Sequence, residues 1–161
     1  MFSEEIKNKI ISLTKKYPEG KQKSAVIPVL HLIQETGNNS LTVEQMDEVA
    51  SLLNILPIQV YEVATFYTMF NLKPVGKYVL EVCQTGPCML NGSDDIIKYI
   101  KQKLHIENGE TTSDGMFTLK TTECLGACGY APMMQLGKHY KEFLTPQKID
   151  EIIEDCRKAL N

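Results

Sequence analysis

Four of the five cysteines stand in two close pairs: four residues separate Cys83 from Cys88, three separate Cys124 from Cys128, and thirty-five lie between the pairs. Each pair sits in a glycine-containing loop, Cys83-Gln84-Thr85-Gly86-Pro87-Cys88 and Cys124-Leu125-Gly126-Ala127-Cys128-Gly129. Four thiolates brought together from two loops make a site for a soft metal centre. Three chemistries compete for such a set. An iron–sulfur cluster takes four cysteine thiolates. Structural zinc takes the same donors, usually from C-x2-C knuckles. Thiol–disulfide exchange uses C-x-x-C. The spacings here fit neither of the last two well, and they differ from the plant-type ferredoxin order, in which three ligands share one loop. Iron–sulfur ligation is the first reading, with zinc and dithiol chemistry left open on the residues alone. Gly86, Gly92, Gly126 and Gly129 let the backbone come close and turn N–H groups toward the sulfurs. Such hydrogen bonds set a cluster's potential.

The elements that must present these loops are legible from periodicity. Up to about residue 74 the chain reads as a helical bundle. Ser3 caps a segment with Ile6, Ile10, Leu13 and Tyr17 at helical spacing, and Ser24 is expected to cap a second, with Ile27, Leu30 and Ile33 along it and Gly37 as its stop. Pro28 lies near that helix's first turn, where a missing N–H costs least. Thr42-Val43-Glu44-Gln45 is a capping box for a third helix through Met46, Val49, Leu52 and Leu53. The fourth, from Pro57 to about Phe70, is apolar nearly all round, so burial on most sides is expected, against a neighbouring domain or another protein chain.

After Lys73-Pro74-Val75-Gly76 the pattern changes. A strand from Lys77 delivers Cys83 at its end, Ser93 is expected to cap a helix with Ile96, Ile97, Ile100 and Leu104, and a strand from Met116 to Thr122 delivers Cys124. Strands at 132–136 and 139–142 follow, then a helix opened by Thr145-Pro146 with Ile149, Ile152, Ile153, Cys156 and Leu160 on one stripe. The whole is an α+β chain: a helical bundle over 1–74, then a small sheet with helices packed on it over 75–161.

Composition removes several classes. The net charge is −3 and Arg157 is the only arginine, so no phosphate-neutralising surface is visible and nucleic acid is a poor partner. The start, Met1-Phe2-Ser3-Glu4-Glu5, is acidic without an apolar run, so no signal peptide is expected, and no stretch approaches the roughly 20 apolar residues of a membrane span. A cytoplasmic setting follows as the expectation, in which paired cysteines bind metal or catalyse rather than form disulfides. No G-x-G-x-x-G or P-loop occurs, so the chain has no visible nucleotide site of its own.

The run Glu62-Val63-Ala64-Thr65-Phe66-Tyr67-Thr68-Met69-Phe70, the two cysteine loops, Gly92-Ser93, Ala131-Pro132 and Gln135 together resemble the thioredoxin-like [2Fe–2S] subunit family of NADH:quinone oxidoreductase, the respiratory complex I. The resemblance covers nearly the whole chain. It implies a helical bundle followed by a thioredoxin-like ferredoxin domain, and one [2Fe–2S] cluster bound by Cys83, Cys88, Cys124 and Cys128. It also implies electron exchange with FMN on a partner subunit that binds NADH, and attachment to the cytoplasmic face of the membrane through the complex. Docking is expected through the N-terminal helices and the Tyr61–Phe70 segment. Gly129 stands where many relatives carry Asp, and Leu136-Gly137 where many carry Ile-Asn; neither change touches ligation, though both bear on the potential. The same module in an NAD-dependent hydrogenase or formate dehydrogenase is the near alternative, and a zinc-stabilised interaction module the distant one.

Other residues take plainer readings. Cys156 lies on an apolar stripe and reads as a buried structural thiol. His31, His105 and His139 lie in no ligand-spaced cluster, and a Rieske-type site needs histidine near a cysteine loop. Met89, Met133 and Met134, close to the loops, read as packing that would also keep water from a cluster. Asp94 and Asp95 complement a helix dipole.

Overall fold

The computed structural model describes residues 1–159; Leu160, expected on the last helix's apolar stripe, lies outside the described residues. The chain divides into two compact units, Met1–Pro74 and Val75–Asn161. Helices precede a mixed four-stranded sheet, an α+β architecture.

The first unit holds α1 (Glu4–Thr14), α2 (Val26–Thr36), α3 (Val43–Leu53) and α4 (Pro57–Phe66). Ser3 caps α1 by accepting from the Ile6 N–H. Thr42 and Gln45 form the reciprocal capping box of α3. Ser24 does not cap α2: it lies inside a 3-10 turn, Gln22–Ala25, and Ala25 occupies the cap position without a side-chain bond. The four helices meet in a core built of Ile10, Val29, Leu30, Ile33, Val49, Leu53 and Val60.

The fourth helix departs from expectation. It ends at Phe66 and buries only Val60 and Ala64, which lie four residues apart on one face. Ile58 is exposed, and Phe66 is 77% exposed. Apolar residues all round a helix do not supply neighbours all round, and within the chain α4 packs mainly on α2 and α3. The residues after it turn away because α2 claims them. The Gln34 amide donates to the Met69 carbonyl at 2.9 Å and accepts from the Asn71 N–H at 2.7 Å. That clamp seats Phe70 in the core, its ring tilted against His31.

The second unit contains β1 (Tyr78–Cys83), the short α5 (Pro87–Leu90), α6 (Ser93–Leu104), β2 (Phe117–Thr122), β3 (Met134–Leu136), β4 (His139–Lys141) and α7 (Pro146–Lys158). The sheet order is β2-β1-β3-β4. β1 and β2 are parallel, from Tyr78 opposite Phe117 to Cys83 opposite Thr122, and the other neighbours are antiparallel. Leu80, Val82, Phe117 and Leu119 share one face of the sheet and are buried there with Ile96 and Ile100 of α6 and Ile149 and Ile153 of α7. Gly92, at φ +89, takes the cap of α6, so the expected cap residue Ser93 is the first residue of the helix and is fully buried. At the start of β1 the Gly76 N–H donates to the Thr118 hydroxyl at 2.6 Å, and a Cβ at Gly76 would lie 2.9 Å from the Met116 backbone.

Phe117 is fully buried where sheet and helices meet. Phe117→Ala is expected to cost about 3–5 kcal/mol of unfolding free energy, read from urea denaturation of the full chain. A loss below about 0.5 kcal/mol, the range of a surface substitution, would contradict the packing described.

Candidate metal centre

Parallel pairing decides where the cysteines emerge. β1 ends in Cys83, and β2, in register beside it, ends in Thr122 two residues before Cys124, so both loops leave the same edge of the sheet. Beyond Cys83 the chain turns through Gly86, at φ +47, into α5, whose second residue is Cys88. Beyond Cys124 it passes through Gly126, at φ +78, into a single 3-10 turn that starts with Cys128. Gly129, expected to share this freedom, has no positive φ.

The thiols sit as two pairs. Cys83 and Cys88 are buried, together with Met133, and Leu125, Ala127 and Ala131 of the second loop pack against them. Cys124 and Cys128 are exposed, with their sulfurs 3.9 Å apart. Backbone amides face the sulfurs, that of Cys128 being its own N–H. The Gly126 N–H donates to Cys124 Sγ at 3.4 Å. The N–H groups of Thr85 and Leu125 face Cys83, and that of Met133 faces Cys88. The sequence anticipated such amides without assigning them; Met133 it marked for packing and for keeping water from a cluster, not as an amide donor.

Electrostatics differ within each pair. Burial pushes the Cys83 thiol up, but the Thr85 and Leu125 N–H groups, helped by the Cys88 thiol and the Thr85 hydroxyl, bring it below its ordinary value. Burial first, and then the bond to Cys83, push Cys88 up to about 11. Cys128 is raised by its bond to Cys124 and by the Cys124 charge. Burial likewise raises Cys156, which lies in the separate core under α7, away from these loops as its stripe position suggested.

The donors fit a [2Fe–2S] centre. A tetrahedral metal with metal–sulfur bonds of about 2.3 Å holds its sulfurs about 3.8 Å apart, and the Cys124–Cys128 separation is 3.9 Å. Two facing pairs suit two metals, each taking one pair. His105 and His139 are exposed, and His31 belongs to the helical unit.

The family model of thioredoxin-like [2Fe–2S] ferredoxins matches residues 10–157, and the chain belongs to that family. It is 49% identical over 90% of its length, and 87% of the relative's, to the E subunit of NADH-quinone oxidoreductase from Rickettsia bellii. It is 48% identical to the protein of the same name from Rickettsia felis, covering 89% of this chain and 86% of that one. Among solved structures, a chain of an NAD+-reducing [NiFe]-hydrogenase in the air-oxidised state matches 90% of this chain at TM-score 0.73 and 18% identity, which shows shared fold. The match spans only 25% of that longer hydrogenase chain.

Exposure orders the reactivity of the metal-free chain. Iodoacetamide is expected to modify Cys124 and Cys128 about tenfold or more faster than the buried Cys83, Cys88 and Cys156. Mass spectrometry of timed digests reads the order, and equal labelling of Cys156 would contradict its burial.

Proposed function

We propose that the chain is an electron-transfer subunit of an NADH:quinone oxidoreductase, holding one [2Fe–2S] cluster on Cys83, Cys88, Cys124 and Cys128. The observation that carries this reading is the arrangement of four thiols as two pairs at one sheet edge, with backbone amides facing the sulfurs. The names of the curated relatives support the host complex. A bound cluster of this kind supplies one-electron transfer. The chain's own residues ligate it, stabilise sulfur charge through the amides of Thr85, Leu125, Gly126 and Met133, and keep water from the buried pair with Met133.

On this reading the cluster exchanges single electrons with FMN on a partner subunit that also binds NADH, and this chain does not oxidise NADH unaided. Absence of a nucleotide-binding motif from the sequence agrees with that division of labour. Residues 1–74 form the docking module and 75–161 the cluster domain. Leu56, Ile58, Phe66 and Tyr67, exposed on and around α4, are the apolar surface offered to the flavin-bearing partner. Among the described residues no helix is long and apolar enough to cross a membrane, and we place the chain at the cytoplasmic face through its complex. A second host is an NAD-reducing hydrogenase, since a chain of one such complex shares this fold; the proteins that co-purify distinguish the two.

Anaerobically purified chain is expected to contain two irons and two acid-labile sulfides and to give a spin-half EPR signal after dithionite reduction, as a [2Fe–2S] centre requires. One zinc without sulfide would leave a structural module instead. Replacing Cys83, Cys88, Cys124 or Cys128 by Ser should impair loading, and Cys156→Ser should leave the visible spectrum unchanged. Full occupancy in any one of the first four variants removes that residue from the ligand set.

A further inference from the structure

One peptide unit in the second cysteine loop carries hydrogen bonds at both ends. The N–H of the Leu125–Gly126 peptide, belonging to Gly126, donates to Cys124 Sγ at 3.4 Å. The C=O of the same peptide, belonging to Leu125, accepts from the Tyr140 hydroxyl at 2.8 Å. Tyr140 lies on β4, the edge strand, paired with Gln135 of β3. A side chain fixed to the sheet thus reaches a peptide of the irregular loop and is connected through it to a thiol.

The peptide needs such a hold. Gly126 sits at φ +78, and a Cβ placed there would meet nothing within 4 Å, so sterics alone do not fix the plane. Rotation of that plane would turn the N–H away from Cys124 and could bring a carbonyl oxygen toward a sulfur bearing negative charge. A hydroxyl donated to the C=O opposes that rotation. It also polarises the amide, since hydrogen bonds in series strengthen one another by about 10–30% each.

We propose that Tyr140 is a positioning residue for the cluster, fixing the Leu125–Gly126 peptide so that its N–H faces Cys124 and increasing the positive charge that the amide presents to that sulfur. The inference rests on the [2Fe–2S] reading above. Positive charge near a ligand sulfur favours the reduced, more negative state of a cluster. Loss of the hydroxyl therefore lowers the potential.

Tyr140→Phe keeps the ring and removes the donor. Tyr130→Phe is the control: its ring stacks edge-on with Phe143 beside the same loop, and its hydroxyl makes no hydrogen bond among the described residues. Both are compared with wild type as full chains by EPR-monitored redox titration, which sees only cluster-loaded molecules. The expected result for Tyr140→Phe is a roughly threefold lower reduced-to-oxidised ratio at fixed potential, a downward shift of about 30 mV at about 59 mV per tenfold for one electron. Tyr130→Phe should titrate with wild type. An unshifted midpoint in Tyr140→Phe overturns the proposal, and so does a Tyr140→Phe chain that holds no cluster while Tyr130→Phe loads normally, because that marks a purely structural role. Iron and sulfide in the wild type are measured first. A chain without sulfide would sink the iron–sulfur reading itself, whereas a loaded wild type with an unshifted variant sinks only the role of Tyr140.

Discussion

Parallel pairing of β1 with β2 is the constraint on which the rest of the cysteine-bearing unit depends. Antiparallel pairing would send the two strand ends to opposite edges and separate Cys83 from Cys124. In parallel register the strands run together from Tyr78 and Phe117 to Cys83 and Thr122. The apolar stripes of α6 and α7 together cover the face of the pair that carries Leu80, Val82, Phe117 and Leu119. The start of the pair is pinned by the Thr118 hydroxyl and by a Gly76 that leaves no room for a Cβ against Met116. A one-residue slip there would carry Cys83 to the other face.

Once the loops are at one edge, backbone amides shape the chemistry. Within the buried pair, Cys83 collects the Thr85 and Leu125 N–H groups and prefers to lose its proton, while Cys88 keeps its own up to about 11 and donates toward Cys83. Leu125 has a second role, because its N–H reaches from one cysteine loop to the first sulfur of the other. Leu125, Ala127 and Ala131, packed on Cys83, Cys88 and Met133, hold the loops face to face.

Most features set by local chemistry were legible in the sequence, and those set by long-range side-chain contacts were not. The capping box at Thr42 and Gln45, the Ser3 cap and the stripe through Ile149, Ile152, Ile153 and Cys156 depend on residues within a few positions, and they form as read. Ser93 misled because Gly92, one residue earlier, reaches a left-handed conformation and takes the cap first. Ser24 misled because a 3-10 turn absorbs it before α2 begins. The extent and burial of α4 depended on Gln34, thirty-five residues before the Met69 carbonyl it clamps. Around the cysteines, spacing disclosed the two loops but not their amide donors. Tyr140 carried no signal at all, since its hydroxyl meets a main-chain carbonyl fifteen residues away.

The two pairs differ in a way that matters for an electron carrier. Cys83 and Cys88 are rooted in a strand end and a short helix and are closed off by Met133, whereas Cys124 and Cys128 lie on an exposed loop. On the proposed ligation, one side of the cluster is anchored in the fold and the other faces outward, where reduction potential is most sensitive to water. An exposed ligand loop with a left-handed glycine would be a soft place to hold that side. Its stiffness comes from contacts reaching into it: the Leu125 amide on Cys83 and the Tyr140 hydroxyl on the Leu125 carbonyl. Geometry at the outward edge is therefore set from the sheet, through one strand that delivers a ligand and another that holds the loop bearing two more.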